Sequence, residues 1–136
     1  MAPLGKEPRR FVRAAGQRLK EARFLLQHEY NTAAVYLGGY AVECMLKALI
    51  LASEPEAHHA KTMTSFRGGR GHDFDWLRLQ LDKRRVTISA PMLKFLADVD
   101  VWTTNLRYDP SSHGRRNALT FLAAAEEVTR WVRERL

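Results

Sequence analysis

Between Thr32 and Ala52 the chain runs for some twenty residues with only two charges, Glu43 and Lys47. A segment of that length and apolarity suits either a bilayer-spanning helix or the central helix of a soluble bundle. The two charges decide between them. In a bilayer both would sit near mid-depth, where inserting a residue such as Lys costs about 2.5–3.5 kcal/mol. In a bundle helix they stand four apart on one face, acid N-terminal to base, which is the favourable order for a pair. The spacing therefore predicts a buried central helix and no membrane span. It should run from about Asn31, a candidate N-cap, to about Ser53, with Pro55 as the stop. Gly38-Gly39 in its middle costs about 1 kcal/mol per glycine relative to alanine. The pair is expected to mark close approach by a neighbouring helix or by a second subunit.

The flanking segments carry helical period too. From Pro8 to about His28, Phe11, Val12, Ala15, Leu19, Ala22, Leu25 and Leu26 recur at three-and-four spacing, with Arg9, Arg13 and Lys20 largely opposite. Glu54–Gly71 is polar and contains Arg67-Gly-Gly-Arg-Gly71, which predicts a flexible loop. Asp73 opens a short third helix, and acids in its first turn suit the helix dipole. Pro91 fits the first turn of a fourth, expected to reach about Asn105 with Trp102 or Val101 inward. A break over Leu106–His113 follows, where Ser111 and Ser112 can cap a last helix from about Gly114 to Arg135. The expected fold is all-α, a four-to-five-helix up-and-down bundle. At 136 residues the chain is one domain, read as a frayed, disordered leader over residues 1–8 and a single helical domain over 9–136. The leader lacks the apolar core of a signal peptide.

Composition narrows the function. Cys44 is the single cysteine, which excludes an intrachain disulfide framework or a thiolate metal cluster and points to a reducing, cytoplasmic setting. Its apolar neighbours mark it as a small core residue. No two of the five histidines, His28, His58, His59, His72 and His113, stand at the i, i+4 spacing that grips zinc on a helix, and no Glu-x-x-His pair occurs. No metal and no cofactor is expected. His58-His59 reads as a solvated loop pair. The net charge of +7 favours polyanions.

One segment stands apart, Asn105-Leu-Arg107-Tyr108-Asp-Pro-Ser-Ser-His113, followed by Arg115 and Arg116. It places a permanent guanidinium and a titratable imidazole on either side of a tight break before a helix N-terminus, whose free N–H groups and dipole suit a phosphate. Metal-independent RNA cleavage needs such groups: one to stabilise a pentacoordinate phosphate and one to move protons. A plainer reading is equally available, with a loop arginine paired to a carboxylate and the histidine as a helix cap.

Tyr40-Ala-Val-Glu-Cys-Met-Leu-Lys-Ala-Leu-Ile50 resembles the second-helix signature of HEPN domains (higher eukaryotes and prokaryotes nucleotide-binding). Gly71-His-Asp73 with Leu77 resembles that family's short His-Asp-Leu helix start, with Phe74 in place of the leucine. Leu106-Arg-Tyr108 is similar to its Arg-Tyr motif after the fourth helix, and Phe121–Val132 to its closing helix. The likeness spans roughly Arg9 to Leu136. It implies a five-helix bundle that dimerises around a basic cleft. It also implies, for catalytic members, a metal-independent ribonuclease or toxin using Arg-x(4–6)-His, here Arg107 and His113. Arg107 would hold the scissile phosphate and His113 would act as general acid or base. Glu43 and Lys47 would line the cleft and orient Arg107, and Tyr108, Asn105 and Arg115 would contact substrate. Tyr108 departs from the polar residue that active members commonly place after the arginine. The resemblance therefore also implies an alternative: a non-catalytic module that binds nucleotide or pairs with a nucleotidyltransferase. The second spacing match, Arg67 with His72, falls in the wrong loop for the family and reads as coincidence.

Overall fold

A computed structural model describes residues 3–110 and 113–136. Met1 and Ala2 of the expected leader, and the capping expected of Ser111 and Ser112, lie outside the described residues. Six α-helices are described: α1 (Lys6–Gln27), α2 (Asn31–Ala52), α3 (His59–Ser65), α4 (Phe74–Lys83), α5 (Ala90–Val99) and α6 (Arg115–Arg133). Short 3₁₀ turns cover Glu56–His58, Gly69–His72 and Thr104–Tyr108, and no strand occurs among the described residues. The all-α expectation holds.

Lys6-Glu7-Pro8, read from the sequence as leader, is the first turn of α1, and Pro8 is buried there. A proline is tolerated in that turn because its missing N–H has no intrahelical partner. Asn31 does not cap α2. It is the helix's first residue, and its side-chain Nδ2 donates to the His113 carbonyl at 2.9 Å. The polar stretch after Pro55 is not one flexible loop, since it holds α3. Half-buried Glu54 fastens it, accepting from Thr62 Oγ1 at 2.7 Å and from Arg84 Nη2 at 3.1 Å. A helix does start at Asp73, which caps α4, its carboxylate accepting from the Asp75 amide at 2.9 Å.

Helix α2 is the axis of the fold. α1, α4 and α6 pack on it, and α5 packs on α6. It is the one described helix long and apolar enough to cross a membrane, yet 78% of its most apolar window is buried inside the protein. Val35, Val42, Met45, Leu46, Ile50 and Leu51 meet Leu77, Leu81, Leu96, Val128 and Val132 in a single core. Each such buried side chain contributes about 1.5–3 kcal/mol relative to exposure.

The two glycines of α2 serve different neighbours within the chain. A Cβ on Gly38 would come within 2.6 Å of Leu122 Cδ2 on α6, and one on Gly39 would fall inside the Trp102 indole. Trp102 lies flat in that gap, stacked on Phe74 at 5.2 Å, with Nε1 donating to the Tyr36 carbonyl at 3.0 Å. This lock explains why α5 ends at Val99 and not near Asn105: the chain must turn back to seat the indole. It also leaves Val101 exposed. Of the two neighbours expected for the pair, a helix of the chain or a second subunit, it is the chain's own α6 and Trp102 that fill the approach. Gly39→Ala is expected to destabilise by about 1–3 kcal/mol through overpacking. A urea titration checks this, with Gly16→Ala as control, because among the described residues its Cβ would meet just Arg133 Nη2, at 3.5 Å.

Candidate functional site

The lock on Gly39 sets where the polar groups fall. After Trp102, Thr103 caps the 3₁₀ turn Thr104–Tyr108 by accepting from the Asn105 amide at 3.2 Å. Asn105, Arg107 and Tyr108 are exposed along this turn. The Arg107 guanidinium sits 4.9 Å from the Tyr108 ring centroid, a cation–π contact, and no carboxylate pairs with it among the described residues. Its charge reaches Tyr40 on α2. There burial, followed by the Tyr36 hydroxyl at 3.2 Å, raises the phenol above its ordinary range, and Arg107 pulls the other way.

His113 is half-buried and tied to the start of α2. Its amide donates to Thr32 Oγ1 at 3.0 Å, its Nδ1 lies 3.1 Å from the same oxygen, and its carbonyl accepts from Asn31. The ring borders an open cavity of about 460 Å³ whose lining includes Val35, Val101, Arg116 and Phe121. His113 is thus held against the start of α2, whereas the contact that holds Arg107 is the Tyr108 ring on its own turn.

The third feature lies deeper. Glu43 is 6% exposed, and both of its oxygens are engaged: Oε2 accepts from Lys47 Nζ at 2.9 Å, and Oε1 from His72 Nδ1 at 2.7 Å. The i, i+4 pair read from the sequence is real. Its expected role is not: Glu43 orients His72 and not Arg107. Nor can Lys47 meet a substrate phosphate, because its side chain is 7% exposed, with the Phe11 and Phe66 rings 5.8 and 5.2 Å away. Arg115 is likewise partly committed, since its Nη1 donates to the Leu26 carbonyl at 3.2 Å and satisfies the end of α1. Tyr108 and Asn105 remain exposed and accessible.

His72 is the residue that sequence reasoning passed over. Its ring meets the Tyr40 ring edge-on at 6.1 Å, and its side chain is 41% exposed. Gly71 makes the approach possible, because a Cβ there would collide with the Phe66 carbonyl and come within 3.3 Å of Lys47 Nζ. His59, expected to be solvated, instead brings Nε2 to 2.7 Å from the Leu51 carbonyl at the end of α2. Burial, reinforced by Glu43, pushes the Cys44 thiol up to about 11, so it is inert as a nucleophile at neutral pH. No group of three or more His, Cys, Asp or Glu side chains is placed to hold a metal ion among the described residues.

The domain is all-α and built on one apolar helix, with an exposed arginine on a 3₁₀ turn that pairs with no carboxylate among the described residues. The HEPN domain family model matches residues 8–135, nearly the whole chain, and the protein belongs to that family. No curated protein and no solved structure matches the chain significantly.

Proposed function

We propose that this HEPN domain is a metal-independent endoribonuclease of the toxin type, a cytoplasmic homodimer that cuts single-stranded RNA. The observation that carries it is the state of Arg107: an exposed guanidinium held on the Tyr108 face, free of carboxylates among the described residues. A fork of N–H donors in that condition suits a phosphodiester, and stabilises it most as the phosphorus gains charge in the transition state. His113 supplies an imidazole at the start of α2, and Tyr108 can stack on a base. The overall charge of +7 draws the strand in.

A second reading has its own support. The Thr32 and Asn31 bonds make His113 a clasp between α2 and the lead-in to α6. In that case the domain binds nucleotide, or the surface of a nucleotidyltransferase, and cleaves nothing. His113→Ala separates the two. Loss of an acid–base group lowers the cutting rate by about 10²–10⁴-fold, while affinity for a 2′-deoxy analogue of the RNA, which cannot react, stays unchanged. An unaltered cutting rate assigns His113 to the clasp alone.

A further inference from the structure

Two rules of helix electrostatics are broken along the outer face of α1. Cations near a helix N-terminus oppose its dipole, and like charges four apart repel. Yet Lys6, Arg9, Arg10 and Arg13 stand in the first two turns, with Lys6–Arg10 and Arg9–Arg13 at that spacing, and Lys20 continues the row. All five are exposed. Little offsets the cost locally. Arg10 reaches Glu7 only at 3.7 Å, and Glu21 is taken by Arg18 at 2.6 Å. Lys6, Arg9, Arg13 and Lys20 pair with no carboxylate among the described residues. An open groove of about 380 Å³ runs over the start of the row, and the described residues that line it are Lys6, Arg9, Arg10 and Arg13. From the flank Arg133 of α6 adds its charge, with Nη2 3.5 Å from where a Cβ on Gly16 would stand. Local rules broken without a compensating contact mark a functional surface.

The row ends on an aromatic step. Phe24, one turn beyond Lys20, is 60% exposed and lies against the His28 ring, with centroids 4.4 Å apart. From Lys6 to Phe24 the face extends over about 27 Å of helical rise. Cations that follow a backbone, joined to rings on which bases stack, are the means by which proteins hold single-stranded nucleic acid. Two other occupants are disfavoured. A second copy would lay this row on a row of like charge. A bilayer needs an apolar helix face, and α1 has buried its own, Ala15, Leu19, Ala22 and Leu26, within the bundle.

We propose that the outer face of α1 binds single-stranded RNA, with Lys6, Arg9, Arg13 and Lys20 along the phosphates and the Phe24–His28 ring pair under a base. The surface takes from the reading above the choice of RNA, and nothing from Arg107 or from cleavage.

The test is equilibrium binding of a short single-stranded 2′-deoxyuridine oligonucleotide, which cannot react, followed by fluorescence anisotropy between about 50 and 200 mM salt. On single strands each phosphate contact contributes about 0.7 to the slope of log affinity against log salt. Combined Lys6→Gln, Arg9→Gln, Arg13→Gln and Lys20→Gln is therefore expected to flatten the slope by about 2.8, so that the wild type loses about 50-fold more affinity over that range than the variant does. A matched variant, with Lys61, Arg67, Lys83 and Lys94 changed to Gln at equally exposed positions, keeps the wild-type slope. Phe24→Ala weakens binding by about 5- to 150-fold at every salt concentration with the slope unchanged, while Phe24→Tyr, which keeps a ring, holds the wild-type affinity. Urea midpoints at or above the wild-type value show that the charge variant is folded, since it relieves repulsion. Equal flattening by the two charge variants assigns binding to net charge and overturns the proposal. So does a Phe24→Ala variant that binds like the wild type, or a wild-type protein with no affinity for the oligonucleotide at about 50 mM salt. Binding with this pattern by a protein that leaves RNA whole removes the cleavage reading and leaves the α1 surface standing.

Discussion

Replacing Glu43 with alanine lowers the unfolding free energy by about 3–5 kcal/mol, among the largest losses any single side-chain truncation in this chain should produce. The reason is what stays behind. Lys47 keeps its ammonium under the Phe11 and Phe66 rings with its carboxylate gone, and the two cation–π contacts cannot replace a 2.9 Å charge-assisted hydrogen bond. His72 also loses the acceptor that holds it against Tyr40. The loss is mostly the penalty of an orphaned buried charge and not the net worth of the pair, so it should be reversible from the other side. Glu43→Leu combined with Lys47→Met is expected to recover most of the stability, because apolar replacement of a whole buried pair is often neutral or better. Urea titrations of the single and double variants check both statements. Simple additivity of the two substitutions would contradict them.

That pair also shows how far the residues alone carry the structure. Two charges four apart in an apolar run can be read as a buried helix pair, because both the spacing and the cost of burial are local facts. The third member, His72, stands 29 residues from Glu43 in a different turn, and no local periodicity links them. Its sequence signals, the glycine before it, Asp73 after it and the spacing from Arg67, identify the start of α4 but not a contact with Glu43. Gly38-Gly39 announced close packing, while the identity of the partner depended on Trp102 folding back after a helix shorter than its apolar pattern suggested. Helix α3 went unseen because seven mostly polar residues give no amphipathic stripe, and its position depends on Glu54, Thr62 and Arg84 meeting across the fold. Arg115 reads as a substrate contact from its place beside the Arg107–His113 segment and from the family resemblance. The end of α1, with its unsatisfied carbonyls, is a competitor visible only in three dimensions.

Arg107 carries the second large effect. Nothing among the described residues neutralises it, its removal opens no cavity, and its exposure makes the fold indifferent to its loss. Surface substitutions of this kind change stability by less than about 0.5 kcal/mol. A donor aimed at developing charge is different in kind, and deleting one lowers catalytic rates by about 10²–10³-fold. Arg107→Lys should recover only part of this, since it restores the charge without the planar fork. The decisive experiment is incubation of single-stranded RNA, in EDTA, with purified wild-type protein and with Arg107→Ala at matched concentration. Cleavage by the wild type, with the variant at least about 10²-fold slower and equally stable to urea, is the predicted result. RNA that survives the wild-type protein, or that both proteins cut equally well, would contradict a nuclease centred on Arg107.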